Sequence, residues 1–153
     1  MAADTLWQAL LQQQLVVNNQ CFEACILSKK NAVPWACSPG FIPRQYDATV
    51  TEDDGTEKRA KVNEAANLTA WIHDGKQPAL GLRFNGEKYM VVREDASPEN
   101  LLLNGRKGTT GICVATSGEC VVVGTYSEAA GQQAASCFDA VQKVVEYLSR
   151  NDM

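Results

Sequence analysis

Between residues 79 and 126, turn signals recur so closely that an antiparallel sheet is the regular structure open to the chain. Asn85-Gly86 separates two apolar-rich runs, 79–84 and 88–93, and an Asn-Gly pair readily takes the positive φ angles of a two-residue hairpin turn. Three further runs, 101–103, 111–116 and 119–126, are divided by turns bearing Gly105, Gly108 and Gly118. Parallel neighbours need a crossover of about a dozen residues or more, and these connections are too short for one.

The flanking sequence adds helices and two more strands. Asp4 can cap a helix that carries Leu6, Trp7, Leu10, Leu11 and Leu15 on one side. Residues 21–27 read as a short strand, Ser28-Lys29-Lys30-Asn31 as a turn, and Val33-Pro34-Trp35-Ala36-Cys37 as a strand at an edge, because Pro34 has no N–H to donate. Asn63 can cap a middle helix that runs to about His73 and ends at Gly75. Residues 132–150 form a last helix whose apolar stripe is Cys137, Val141, Val144, Val145 and Leu148. The class is therefore α+β: one domain over residues 1–153, with an antiparallel sheet of about six or seven strands and helices against both faces. Residues 44–61 stand apart, with five acidic residues, little to bury and an Asp54-Gly55 turn; they read as a surface insertion, compatible with a small hairpin.

Composition closes off several functions. A net charge of −4 does not suit a globally basic nucleic-acid binder, and no apolar run reaches the ~20 residues that span a bilayer. The N-terminus lacks the basic and apolar regions of a secretion signal, so a cytoplasmic location is expected. The six cysteines show no C-x-x-C spacing and share the chain with one histidine, His73, which speaks against a zinc site and for reduced, mostly buried thiols. In one strand, Cys21 and Cys25 lie too far apart to bridge. The glycine-bearing stretch 105–111 lacks the phosphate-loop order and links two strands, where such a loop must open a helix. No catalytic constellation, cofactor or metal site is expected.

The aromatic residues carry more information. A lone tryptophan on a helix is commonly core, and Trp7 fits that reading. Tyr147, however, falls on the rim of the last helix's stripe, and Trp35 follows Pro34 near a strand edge. If the terminal helices pack side by side, Trp7, Trp35 and Tyr147 form an exposed aromatic shelf of the kind that receives polyproline II ligands.

Several segments, in order, resemble one family. Leu6-Trp7-Gln8-Ala9-Leu10 resembles the profilin opening W-x-x-Y, and Trp35-Ala36-Cys37-Ser38-Pro39-Gly40-Phe41 its W-A-x-S-x-x-F. Gly86-Glu87-Lys88-Tyr89-Met90-Val91-Val92 is similar to its G-x-K-Y-M-V-I strand. Gly105-Arg106-Lys107-Gly108 with Gly111-Ile112-Cys113-Val114 is similar to its G-K-K-G-x-G-G-V-x-V segment, and Tyr147-Leu148 to its Y-L ending.

The resemblance implies a profilin-like sheet with the terminal helices on one face and a further helix on the other. It also implies a cytoskeletal protein that binds monomeric actin, proline-rich proteins such as formins, and phosphoinositide head groups. By position, Trp7, Leu10, Trp35, Tyr147, Leu148 and Met153 would hold proline segments. Val91, Arg93, Arg106, Lys107, Phe138 and Asp139 would face actin. Val91 and Arg93 alternate along one strand and so are expected on one face, with Arg106 and Lys107 beside them as a basic edge for an acidic partner. The proline and actin sites are expected on separate faces. Leu10 stands where the family pattern has its second aromatic, and Met153 where a terminal aromatic is usual, which narrows the shelf. Residues 44–61 exceed the family's length there, and either lie against actin or extend into solvent. The alternative of another class is a PAS-like or longin-like ligand-sensing or trafficking module.

Overall fold

The structure, a computed structural model, describes residues 8–11 and 21–153. Residues 8–11 are helical; the expected Asp4 cap, Trp7 and the remainder of the first helix lie outside the described residues. The strands that follow are β1 (Ala24–Ser28), β2 (Pro34–Cys37), β3 (Gln45–Thr51) and β4 (Glu57–Asn63). Helix α1 (Glu64–Asp74) leads to β5 (Leu82–Phe84), β6 (Glu87–Ser97), β7 (Asn100–Lys107), β8 (Thr110–Thr116) and β9 (Cys120–Ser127), and α2 (Ala134–Arg150) ends the chain.

Among the described residues, seven strands form one antiparallel sheet in the order β2-β1-β9-β8-β7-β6-β5. Strand parity divides its side chains between two cores. On one face Ala24, Ile26, Cys113, Ala115, Cys120 and Val122 meet Cys137, Val141, Val144 and Leu148 of α2, together with Leu11. On the other, Cys25, Leu27, Ile112, Val114, Val121 and Val123 meet Leu68, Trp71 and Ile72 of α1. The helices therefore cover opposite faces, as their apolar stripes require. The α1 boundaries follow from chemistry legible in the sequence: the Asn63 side chain accepts from the Ala66 N–H at 3.0 Å, and Gly75, at φ 71°, closes the helix by donating to Trp71 C=O.

Strand β6 outruns its expected end at Arg93. The ladder to β7 continues to Ser97, and on the α1 side Glu94 accepts from the Trp71 indole at 3.2 Å. Backbone pairing and that bond hold polar residues in the strand where an apolar run had already stopped.

Residues 44–61 belong to a separate ribbon, β3 paired with β4 from Gln45↔Asn63 to Thr51↔Glu57. A two-stranded ribbon alone is marginal in water, and this one is clamped at its base by Glu64, only 1% exposed. The Glu64 carboxylate accepts from the Arg44 N–H at 2.8 Å, the Tyr46 hydroxyl at 2.8 Å and the Gly86 N–H at 2.9 Å. One side chain thus joins the ribbon, α1 and the β5–β6 turn, and Val62 beside it is buried as well. The far end, from Glu52 to Thr56, is exposed and is ordered by Asp54, which accepts from both the N–H and the hydroxyl of Thr56.

Two outcomes are expected. Glu64→Ala strands buried donors and should lower stability by about 3 kcal/mol in a denaturant titration. Shortening the ribbon beyond Tyr46 and Val62 should leave the melting temperature nearly unchanged, and limited proteolysis should cut first between residues 52 and 56.

Candidate functional site

Most of the candidate residues fall into two groups on the α2 side of the sheet, and a break in strand parity shapes each. In β2 the register with β1 slips: Ile26 faces Ala36 but Leu27 faces Pro34, which leaves Trp35 as the extra residue of a bulge. Strict alternation would send Trp35 and Ala36 to opposite faces. The bulge instead puts both against the α2-side core, where the Trp35 indole is partly buried.

Leu10 and Met153 pack, partly buried, against the same core. Gln8 Nε2 donates to Cys37 C=O at 3.2 Å and so ties the first helical turn to the end of β2. Met153 is fastened by its N–H to Leu148 C=O and by its own carbonyl to Ser117 Oγ and the Glu119 N–H. Tyr147 is 45% exposed on α2, whereas Leu148, next to it, is 0% exposed. Leu148 therefore underlies the surface and cannot touch a ligand there, because at helical spacing it faces the sheet.

The second group is on β6, β7 and the start of α2, and here the sequence expectation needs correction. Val91 pairs with Gly105 and Arg93 with Asn104, so Val92 is the additional residue of a second bulge. Odd positions Tyr89 and Val91 pack on the α1 side; beyond the bulge the even positions Glu94 and Ala96 do so. Val91 and Arg93 consequently lie on opposite faces. Arg93 sits on the α2 side, its guanidinium 5.5 Å from the Phe138 ring centroid, within cation–π range, and paired with Asp95 at 3.1 Å.

Arg106 lies opposite Met90 and beside Gly111 on that same face. Lys107, the next residue of β7, has the parity of Leu101 and Leu103 and turns to the α1 side, so the two cations do not share a face as expected. A Cβ on Gly111 would fall 2.3 Å from the Tyr126 ring, so the glycine is required by close packing. The expected basic edge is in fact neutralised. Arg106 pairs with Glu128 at 3.0 Å, Lys107 with Glu87, and Lys143 with the candidate Asp139 at 3.1 Å. These pairs are exposed and weak, open to exchange with a partner's charges.

Sequence reasoning missed two apolar residues at this edge, Met90 and Val92, which are 69% and 64% exposed. The signal was the unbroken run Tyr89-Met90-Val91-Val92, whose two faces both needed a destination. It also missed Asn104, flanked by Arg93 and Cys113 in the ladder, whose buried Oδ1 has no hydrogen-bond partner.

The thiols fall into two sets. Cys21 and Cys137 are buried with their sulfurs 3.2 Å apart; hydrogen bonds with Cys113 and then Cys21 that favour the protonated form, with burial, push the Cys137 thiol far up. Cys25 and Cys37 face each other across β1 and β2, and of the six cysteines only Cys37 is not buried. Among the described residues no cluster of His, Cys, Asp and Glu is arranged to hold a metal ion, and no described helix is long and apolar enough to cross a membrane.

Comparison with known proteins decides what this arrangement belongs to. The profilin family model matches residues 5–153. The chain belongs to the profilin family. A profilin of Tetrahymena pyriformis is 32% identical over 142 residues, covering 90% of each chain. The solved profilin of Schizosaccharomyces pombe superposes with a TM-score of 0.72 at 20% identity, covering 96% of this chain and 99% of that one. Mouse profilin IIa, solved in complex with a double repeat from the FH1 domain of mDia1, gives a TM-score of 0.64 at 16% identity with the same coverage. Profilins are regulators that bind actin, and no catalytic family is indicated. The PAS-like or longin-like alternative is set aside by this match.

In the folded protein a thiol reagent should modify Cys37 readily and the five buried cysteines slowly, with denaturant releasing all six. Measured reaction rates check this, and a fast-reacting Cys21 or Cys137 would contradict it.

Proposed function

We propose that this profilin-family chain binds monomeric actin and proline-rich segments at two separate sites and so regulates filament assembly. The observation that carries the reading is the placement of the two residue groups at opposite edges of one sheet face. Trp35 is on β2 and Arg93 on β6, five strand spacings apart, or about 24 Å. Helix α2 crosses between them, with Phe138 near its start at one group and the exposed ring of Tyr147 near its end. The sequence expectation put the two sites on separate faces. On this reading they share a face but not an edge, which leaves separate room for a short proline segment and a large globular partner.

For the proline site, the proposed surface is Trp35, Tyr147, Leu10 and Met153, with Trp7 included from the sequence and Leu148 beneath as support. The mouse relative solved with an FH1 repeat supports proline-rich segments as the ligand class. Aromatic rings with an exposed edge suit a rigid polyproline II helix, which loses little conformational entropy on binding. For the actin site, the proposed surface is Arg93 on Phe138, the exposed Met90 and Val92, and the exchangeable pairs of Arg106 and Asp139, with Lys107 at the rim where its strand turns to the α1 side. Val91, turned to the α1 side, supports the strand from behind. Apolar side chains ringed by ion pairs match the anatomy of a protein interface.

The two sites separate experimentally. Arg93→Glu should weaken binding of monomeric actin at least tenfold, about 1.4 kcal/mol, and leave proline binding unchanged; equal affinities for actin would remove Arg93 from the interface. Poly-L-proline should quench tryptophan fluorescence, and Tyr147→Ala should cost about 1–3 kcal/mol of that binding while actin affinity holds. Unchanged fluorescence at millimolar proline-segment concentration would refute the shelf.

A further inference from the structure

We propose that Cys37 is an oxidation site at which a peroxide drives formation of a disulfide with Cys25. The two residues are directly opposed in the β1–β2 ladder. The Ser38 N–H donates to Ala24 C=O at 2.8 Å, which makes the adjoining position the hydrogen-bonded one and Cys25/Cys37 the non-hydrogen-bonded pair. Side chains approach most closely at such pairs, where Cα atoms stand about 4.5 Å apart, within the ~4.4–6.8 Å a disulfide spans. No backbone rearrangement is needed to bring the sulfurs together.

Access assigns the roles. Cys37 is partly exposed and Cys25 is 0% exposed. Burial, and next the neighbouring Cys37, push the Cys25 thiol upward, so it does not react first. Hydrogen peroxide oxidises the Cys37 sulfur: its O–O bond breaks, Cys37 becomes a sulfenic acid and one water leaves. The Cys25 sulfur then attacks the Cys37 sulfur. The S–S bond forms, the S–O bond breaks, and the hydroxyl departs with the Cys25 proton as a second water. The sulfurs of Cys21 and Cys137 are close together too, but both residues are buried between α2 and the sheet, whereas Cys37 is partly exposed and is the more accessible target.

The location bears on function. Cys37 lies two residues past Trp35, and its carbonyl accepts from Gln8. The crosslink would fix the strand from which the proposed proline shelf is built; this consequence rests on that reading, whereas the oxidation itself does not.

The test treats the reduced, folded chain with hydrogen peroxide, caps the remaining thiols, cleaves after Glu23 to separate Cys21 from Cys25 and after Lys29 and Lys30 to separate Cys25 from Cys37, and identifies linked peptides by non-reducing mass spectrometry. The expected product joins the Cys25 and Cys37 peptides and is absent in Cys37→Ser. In Cys25→Ala, Cys37 should instead be trapped by dimedone as its sulfenic acid. Cys37 remaining reduced in the folded protein while the denatured chain oxidises would overturn the proposal, as would a linkage made mainly of Cys21 and Cys137. Neither readout involves a proline ligand, so failure here is distinct from failure of the proline site.

Discussion

Every strand at the centre of this sheet is covered on both faces, and that constraint governs the rest of the molecule. With water on neither side, each residue of β8 and β9 has to serve one of two cores, and parity fixes which. Val121 and Val123 go to α1, and Cys120 and Val122 to α2. A one-residue slip in these strands would exchange the two cores entirely. The surface-forming exceptions are thereby confined to the outer strands. Both bulges described above, at Trp35 and at Val92, lie outside the β9–β8 centre.

The bulges do different physical work. At Trp35 the extra residue carries an indole onto the face that α2 covers, where it joins Leu10 and Met153. At Val92 the extra residue reverses parity for the remainder of β6, so that Arg93 reaches Phe138 while Glu94 reaches Trp71 on the opposite side. Among the described residues nothing pairs with β6 beyond Tyr89 on the side away from β7. A bulge on such an edge also discourages another strand from adding to it.

The β3–β4 ribbon shows a separate economy of means. Its outer length contributes nothing to either core, yet its base is held by a buried carboxylate with three donors. A carboxylate so placed avoids the cost of burying an unpaired charge because each donor would otherwise be an unsatisfied group itself. The ribbon, α1 and the β5–β6 turn are fixed together by Glu64, a residue that reads from the sequence as an ordinary first-turn acid.

What the sequence determined was local: the Asn63 and Gly75 caps of α1, the Asn85-Gly86 hairpin, the apolar stripe of α2 and the antiparallel order of the last strands. Each depends on a few adjacent residues whose conformational preferences survive any context. The family was legible as well, because its short motifs occur in order along the chain. Tertiary structure alone decided on which side Val91 and Arg93 stand, that Glu64 is a clamp, that the cations near Arg106 are each paired, and that Cys25 faces Cys37. All of these turn on register between segments distant in sequence. A bulge is set by the partner strand, and counting residues along one strand carries no information about it.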